Sequence, residues 1–231
     1  MSISSHWNYH FPFFMPDQEG VIKYKLSHQN IAIEEHIPIV EINAWRTLFF
    51  KLQLIGQVSE RYDGYGFGNI SQRLSSANLT YPPFIISGTQ TGNIDSLSRH
   101  HYCVVLEANP LENSVKSAGK TQPSSESLTH ACIYQQNKSI QAVIHIHSPE
   151  IWLNTQQLKL PYSAANVSYG TPEMAGEVKK LFDTASFQNT GIFSLLGHQD
   201  GIIAFSDSIE KAALLLIKTF SKALSIEQSK Q

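Results

Sequence analysis

The chain has 231 residues, of which 42% are hydrophobic and 16% are charged, so it is long enough for one domain, or at most two, with a sizeable core. Its formal net charge is -2, and its lysines and arginines form no cluster, which argues against a nucleic-acid partner. The sequence shows neither a basic leader nor an apolar run long enough for a membrane helix, so we expect a cytoplasmic protein with no membrane partner.

The beginning of the chain is predicted to form an N-terminal arm over residues 1–38, followed by one domain over residues 39–231. The alternating segment GVIKYKLSH in this arm indicates an edge strand or a hairpin arm, which Pro38 would close. An amphipathic helix is predicted over VEINAWRTLFFKLQLIG, which begins at Val40 and ends at Gly56. A glycine-rich turn, RYDGYGFGN, then leads into a strand.

Strands and helices alternate along the rest of the chain. FIIS and HYCVVLEA are predicted strands, the first followed by a tight turn and the second by a turn-rich connection. Helices are predicted at about residues 125–137, from Pro149, over residues 171–183 and at the end of the chain. An Asp200-Gly201 turn indicates a hairpin, so the sheet is not purely parallel. We therefore expect an α/β sandwich with a mixed, largely antiparallel sheet.

Two histidines lie one residue apart in the apolar segment QAVIHIHSPEIW. In an extended strand, His145 and His147 point to the same face. A buried imidazole without a partner costs on the order of 1–3 kcal/mol, and a divalent metal such as zinc compensates this cost for both histidines. The alternative is that both are satisfied by hydrogen bonds in the core or at the surface. The spacing alone leaves both interpretations open.

Three further residues stand where they can join such a site. Glu126 lies in the first turn of the helix that leads into the histidine strand, and His198 lies at the predicted hairpin, where sites are often built. One carboxylate and three imidazoles are a ligand set suited to zinc or another divalent metal. His130 shares a helix face with Glu126. It either hydrogen-bonds a ligand or the substrate, or is an ordinary surface or core histidine.

Short turns rich in glycine and hydroxyl residues indicate anion sites. Ser124 and Ser125 precede a helix, whose first N–H groups and positive dipole end favour an anion, although plain N-capping is the alternative. GFGNIS and SGTQTGN are two further turns of this kind, and their N–H and hydroxyl groups can contact phosphate oxygens without a lysine. Taken alone, each of them is more often simply a turn.

The order of these motifs resembles that of the class II aldolase/adducin family. The resemblance is carried, over roughly residues 40–225, by GFGNIS, FIISGTQTGNIDSLS, PSSESLTHACIYQQNKSIQAVIHIHSPEIW, YGTPEMAGEV and SLLGHQDGIIAFSDSIEKAALLL. Its most specific part is Ser-Ser-Glu followed by His-x-His. The family includes fuculose-phosphate-type aldolases, ribulose-phosphate epimerases, methylthioribulose-phosphate dehydratases and the non-catalytic head domain of adducin. The resemblance implies a three-layer α/β/α sandwich and, commonly, a homotetramer.

Carried over by position, the resemblance implies that Glu126, His145, His147 and His198 bind Zn²⁺ or another divalent metal, with Glu126 also as general acid/base. It implies a metal-dependent lyase that cleaves a carbon–carbon bond in a small, phosphorylated hydroxy-carbonyl compound or sugar through a metal-stabilised enediolate. The alternatives are a sugar-phosphate epimerase or dehydratase, and a non-catalytic adducin-like binding module. The residues implied to bind substrate or phosphate are Asn69, Thr91, Gly92, Ser124 and Ser125.

The sequence departs from the family pattern at several positions. Gly66 stands where the family often has threonine or serine, and the tail SKALSIEQSKQ lacks the tyrosine that the aldolases supply there. The aldolases carry a second active-site tyrosine in the segment before YGTPEMA, where Tyr162 and Tyr169 are interpreted as structural residues rather than replacements. His198 also begins a longer turn than the usual His-Gly of the family. The proton donor of an aldolase is therefore not identified by the resemblance.

Overall fold

The computed structural model describes residues 20–74 and 82–230, which form a central sheet of eight strands with helices on both faces. The strands are β1 (Lys25–Gln29), β2 (Gly56–Gln57), β3 (Gly66–Phe67), β4 (Asn69–Arg73), β5 (Phe84–Ser87), β6 (Tyr102–Asn109), β7 (Ser114–Gly119), β8 (Ala142–His147), β9 (Gly191–Ser194) and β10 (Gly201–Ser206). The helices are α1 (Val40–Lys51), α2 (Ser127–Gln136), α3 (Pro149–Leu153), α4 (Pro172–Thr184) and α5 (Ile209–Gln228). Among these described residues, no helix combines the length and apolar character needed to cross a membrane.

The large sheet has the strand order β1-β7-β6-β5-β4-β8-β10-β9. Strand β1 pairs in parallel with β7, and the other neighbours in this order pair antiparallel. Strands β2 and β3 form a separate two-stranded ribbon. The predicted mixed, largely antiparallel sheet is therefore confirmed.

The helices divide between the two faces of this sheet. One buried cluster contains residues of α1, α3 and α5, among them Phe49, Ile151 and Leu216. The other contains residues of α2 and α4, among them Ile133 and Val178. Each face of the sheet is thus covered by helices whose apolar sides are removed from water, which is the main stabilising contribution to such a fold. The chain forms the predicted three-layer α/β/α sandwich.

Capping residues determine where several helices begin. The side chains of Ser148, Thr171 and Ser208 accept hydrogen bonds from backbone N–H groups in the first turns of α3, α4 and α5. Pro149 and Pro172 occupy early helical positions, where their missing N–H groups are not needed. The predicted helix starts at Pro149 and Thr171 are confirmed.

Two segments differ from the sequence-based expectation. Helix α1 ends at Lys51 rather than at Gly56, because the chain turns at Gln53, whose φ of 57° is left-handed. Residues 114–119, predicted to be part of a turn-rich connection, form β7, which lies between β6 and β1. Its small polar residues read as a turn in the sequence, but pairing on both sides stabilises them as a strand.

The described part of the N-terminal arm joins the sheet. Strand β1 lies at its edge, so the predicted edge strand is confirmed. Ile33 and Ile37 are buried in the same cluster as α1. Residues 1–19 of the predicted arm lie outside the described residues, and the division of the chain at residue 38 stays a prediction.

Candidate metal centre

Strand β8 runs through the large sheet and carries both of its histidines on one face. Ile144 and Ile146 pack into the cluster of α1, α3 and α5, whereas Val143 packs into the cluster of α2 and α4. His145 and His147 share the face of Val143, as the alternation of a strand requires, and both are fully buried. Each of the two imidazoles therefore needs polar partners on that face.

Two neighbouring elements bring Glu126 and His198 to these histidines. Glu126 stands at the N-cap position of α2, and His198 lies in the loop between β9 and β10, next to β8. One potential ligand atom from each of Glu126, His145, His147 and His198 lies within 4.8 Å of the others, and all four residues are buried. The structure thus brings together the four residues that the resemblance implied, while their role as metal ligands stays a prediction.

The hydrogen bond of His145 indicates what this cluster is suited to hold. Its Nδ1–H donates to the carbonyl oxygen of Ile202 at 3.2 Å, so Nε2 is the ring nitrogen that faces the cluster. Nε2 lies 2.9 Å from Oε1 of Glu126 and 3.1 Å from Nε2 of His147. Two ring nitrogens and a carboxylate oxygen this close in a buried site require a proton or a metal cation among them. Three imidazoles and one carboxylate therefore fit a divalent metal.

Glu126 is ionised in this cluster. Burial alone would raise the pKa of its carboxyl group, but the neighbouring imidazoles, chiefly His145 and His198, outweigh burial and lower the pKa to about 2. The second carboxylate oxygen, Oε2, is buried and has no hydrogen-bond partner among the described residues. A buried, charged oxygen in this state is an expected position for a metal ion, a substrate hydroxyl group or a proton.

His130 lies in a buried hydrogen-bonded chain. Its Nδ1 lies 2.7 Å from Oγ of Ser71, which lies 2.8 Å from the hydroxyl oxygen of Tyr134. Burial lowers the pKa of His130 to about 3, and the opposing effect of Glu126 is smaller, so the imidazole is neutral near pH 7. Its Nε2 has no partner within the described part of the chain. His130 is therefore a core residue rather than a surface histidine of α2.

The residues predicted to bind phosphate line one pocket beside Glu126. They come from the beginning of β4, the loop after β5 and the turn before α2. Oγ of Ser124 accepts a hydrogen bond from the backbone N–H of Glu126 at 3.3 Å, so this serine also stabilises the start of α2. Their role as phosphate ligands stays a prediction. The residues brought together are Asn69, Thr91, Gly92, Ser124 and Ser125.

The sequence model of one known protein family covers most of this chain. The sequence model of the family described as Class II Aldolase and Adducin N-terminal domain matches residues 58–220. The chain belongs to this family. No curated protein sequence matches it.

Solved structures share the class II aldolase fold at low sequence identity. The sugar-phosphate aldolase from Thermotoga maritima is 16% identical, with a TM-score of 0.59 over 84% of this chain and 96% of that chain. The L-fuculose-1-phosphate aldolase from Thermus thermophilus is 16% identical, with a TM-score of 0.56 over 81% and 91% of the two chains. YgbL from Klebsiella pneumoniae, a candidate aldolase/epimerase/decarboxylase, is 17% identical, with a TM-score of 0.59 over 81% and 87%. At these identities the similarity establishes the fold.

In this member of the class II aldolase family, a buried arginine holds the loop after β5, which lines the pocket. Arg46 of α1 is 1% exposed, and its guanidinium group donates to the backbone carbonyls of Thr91, Ile94 and Asp95. Burial lowers the pKa of Arg46 to about 10, so the side chain remains charged near neutral pH. The loop after β5 is thereby fixed by a side chain that the sequence analysis did not single out, because an arginine in an amphipathic helix carries no signal for such a role.

Gly92→Ala is expected to destabilise the protein because a methyl group does not fit at this position of the pocket. A β-carbon at position 92 would lie 2.4 Å from the carbonyl oxygen of Gly56 and 2.8 Å from Cα of Gly66, so backbone would have to move. We expect the free energy of unfolding to fall by about 1–3 kcal/mol in urea denaturation. The matched control is Gly176→Ala in α4, where no group outside its own helical segment lies within 4 Å. This control is expected to raise the free energy of unfolding by up to about 1 kcal/mol, and equal effects of the two changes would contradict the prediction.

The two tyrosines considered as replacements for the aldolase tyrosines differ in position. Tyr169 is fully buried, and its ring stacks on the imidazole of His198 with ring centroids 4.6 Å apart. Tyr162 is 49% exposed and lies beside β9. Tyr169 therefore contacts the candidate metal centre through the face of its ring.

Tyr62 and Asp200 are neighbours of the candidate metal centre, and the sequence had placed both of them only in turns. The hydroxyl group of Tyr62 donates to Oδ2 of Asp200 at 2.7 Å. The ring of Tyr62 lies edge-on to the imidazole of His147, with centroids 4.7 Å apart. Each residue belongs to a segment with an Asp-Gly pair, which is a strong turn signal. Because the turn already accounts for these residues, nothing in the sequence assigned them a further role. The proximity of Asp200 to His198 in the sequence was the available hint.

Proposed function

We propose that this protein is a metal-dependent lyase of aldolase type, which cleaves a carbon–carbon bond in a small, phosphorylated hydroxy-carbonyl compound or sugar. The observation that carries the proposal is the position of the ionised Glu126. One of its oxygens lies 2.9 Å from Nε2 of His145, and the other is buried with no partner among the described residues, at the wall of a pocket lined by small polar residues. This arrangement supports the proposal that a metal ligand, a general base and an anion pocket lie side by side.

The buried cluster argues against a non-catalytic, adducin-like binding module. Burying one carboxylate and three imidazoles disfavours folding unless they are compensated, and a binding surface does not require such a group. The four side chains also lie below the surface, where a protein partner would not reach them. A catalytic role explains why the chain carries them.

The residues proposed to hold the metal are Glu126, His145, His147 and His198, and Zn²⁺ is the metal we propose. When bound, such an ion acts as a Lewis acid that stabilises negative charge developing on substrate oxygens. The chain contributes orientation: the carbonyl of Ile202 fixes the ring of His145 so that Nε2 faces the other members of the cluster. Burial of all four side chains keeps bulk water away from the reacting atoms.

Glu126 is proposed to move the proton. The carboxylate is ionised near neutral pH, as a general base has to be, and Oε2 has no partner in the described structure that would compete for the proton. A proton taken by Oε2 from the substrate can be returned by the same oxygen to a neighbouring atom. One residue thereby serves as base and then as acid.

The pocket beside Glu126 is proposed to hold the phosphate group. Ser124 and Ser125 lie next to the N-terminal end of α2, where the backbone N–H groups of the first turn and the helix dipole favour an anion. Among the described residues that line the pocket there is no lysine or arginine, so recognition would use N–H and hydroxyl groups.

On the family resemblance we also propose a homotetramer, which light scattering of the purified protein would test.

Metal analysis followed by product analysis tests this function. Purified protein is expected to bind about one divalent ion per chain, measured by mass spectrometry of the metal after dialysis. His145→Ala is expected to bind the ion more weakly and to release it during dialysis, whereas His100→Ala, at an exposed position, is expected to retain it. Failure of the wild-type protein to bind metal even at millimolar concentration would instead support the binding module.

The products identify the reaction class. Ketose phosphates are incubated with metal-loaded protein and followed by NMR. Two carbonyl-derived fragments are expected for an aldolase. A product that has lost water would indicate a dehydratase, and an isomer of the substrate would indicate an epimerase. Either result would replace the proposed aldolase-type cleavage but would leave the proposed metal centre in place.

A further inference from the structure

The loop that carries His198 is fixed by contacts made two residues further along the chain. Asp200 has a φ of 61°, a left-handed conformation that is uncommon for residues other than glycine. Its backbone carbonyl accepts a hydrogen bond from the N–H of Ser148 at 2.8 Å. Its Oδ2 accepts a hydrogen bond from the hydroxyl group of Tyr62 at 2.7 Å. Both ends of Asp200 are therefore held by other segments.

Tyr62 is itself held firmly. Tyr62 and Asp63 have left-handed φ values of 51° and 55°, and such conformations persist where the surrounding structure enforces them. Nη2 of Arg61 donates to the hydroxyl oxygen of Tyr62 at 2.7 Å, and Nη1 of the same arginine donates to the carbonyl of Gln53 at 3.1 Å. The hydroxyl group thus accepts from Arg61 and donates to Asp200, which fixes its direction.

The ring of Tyr62 contacts the other side of the metal centre. It lies edge-on to the imidazole of His147, with centroids 4.7 Å apart, and edge-on to Phe67, with centroids 5.1 Å apart. Tyr62 therefore touches one proposed ligand directly and, through Asp200, the loop of another. His147 lies on β8, and His198 lies in the loop before β10, which pairs with β8 at Gly201, so the contacts of Tyr62 add a second connection between the two histidines.

We propose that Tyr62 and Asp200 form a latch, defined by their side-chain hydrogen bond, that positions His198 as a metal ligand. The inference rests on the proposed metal centre, and the latch acts through His198 and His147 rather than on the substrate. Partners that orient metal ligands commonly change metal affinity about 10–100-fold when they are removed. Both residues of the latch are positioning residues in this sense.

Cobalt(II) binding to the full chain tests the latch without any substrate. Co²⁺ occupies the same kind of site as zinc, and its visible absorption band reports the coordination geometry. Tyr62→Phe and Asp200→Gly are each expected to lower the Co²⁺ affinity about tenfold or more, measured by competition with a chelator, and to change the band. Glycine removes the carboxylate without straining the positive φ. The double variant is expected to bind no more weakly than the weaker single variant, because both changes break one hydrogen bond.

Two further variants separate positioning from general loss of structure. Asp200→Asn keeps an oxygen that accepts the hydrogen bond of Tyr62, so it is expected to restore most of the affinity and the wild-type band. Tyr162→Phe, at a half-exposed position beside β9, is the matched control and is expected to bind Co²⁺ as the wild type does. Circular dichroism of the metal-free variants checks their folding, and if Asp200→Gly does not fold, Tyr62→Phe decides alone.

The outcomes distinguish the latch from the proposed function. Folded Tyr62→Phe protein with wild-type affinity and an unchanged band would overturn the latch and leave the metal centre in place. Additive losses in the double variant would also overturn it, because the two residues would then act separately. A wild-type protein that binds no Co²⁺ would remove the proposed function and the latch together.

Discussion

Glu126→Gln is expected to lower the turnover of the metal-loaded protein by at least about 10²–10⁴-fold on any substrate that it accepts. Glutamine has nearly the same shape as glutamate, but it carries no negative charge and does not accept a proton at neutral pH. The oxygen concerned is Oε2, which is buried with no partner among the described residues. The measurement is kcat, determined together with the metal content of the same preparation.

Metal content separates the two roles proposed for Glu126. Because three imidazoles remain in the variant, we expect it to keep the ion at saturating metal concentration, with weaker affinity than the wild type. Glu173→Gln, at an exposed position in the first turn of α4, is the matched control and is expected to leave turnover and affinity unchanged. High turnover of Glu126→Gln at full metal occupancy would show that another residue transfers the proton.

The strand histidines could be predicted from the sequence because their signal is local. Alternation along one strand is enough to place His145 and His147 on the same face, and the structure shows them there. Glu126 begins the helix that immediately precedes this strand, so its neighbourhood also follows from short-range order. His198 is different, because its position depends on the pairing of β10 with β8. It was predicted through the resemblance together with the hairpin signal.

Contacts between distant segments could not be predicted in this way. Tyr62 and Asp200 are 138 positions apart, and no spacing rule relates them. Arg46 supports the loop after β5 from a helix 45 to 49 positions earlier. Strand β7 was missed for a related reason, since its small polar residues become a strand through pairing with β6 on one side and β1 on the other. Tertiary packing decides all three features, and local patterns do not encode it.

The metal-free protein is expected to lose stability as the pH falls below about 6.5, and His130 is expected to account for a large share of the loss. Burial lowers the pKa of His130 from the ordinary value of 6.5 to about 3. Between these pH values the unfolded chain binds a proton that the folded chain does not, so the free energy of unfolding decreases on acidification. Over the whole window the effect of one such group is on the order of a few kcal/mol. Burial also lowers the pKa of His147, which adds in the same direction.

His130→Gln isolates this contribution, because glutamine can still hydrogen-bond Oγ of Ser71 but does not titrate. Urea denaturation of chelator-treated protein at pH 7 and at pH 4.5 is expected to show a smaller loss of stability for the variant than for the wild type. The pKa of Glu126 is lowered from 4.5 to about 2 in the folded protein. Its contribution to stability is therefore lost only below pH 4.5, outside the range of these measurements between pH 7 and pH 4.5. His100→Gln, at an exposed position, is expected to keep the wild-type pH dependence. The same pH dependence in His130→Gln as in the wild type would mean that the imidazole of His130 is protonated in the folded protein at pH 4.5. The prediction of a neutral histidine bonded to Ser71 would then be wrong.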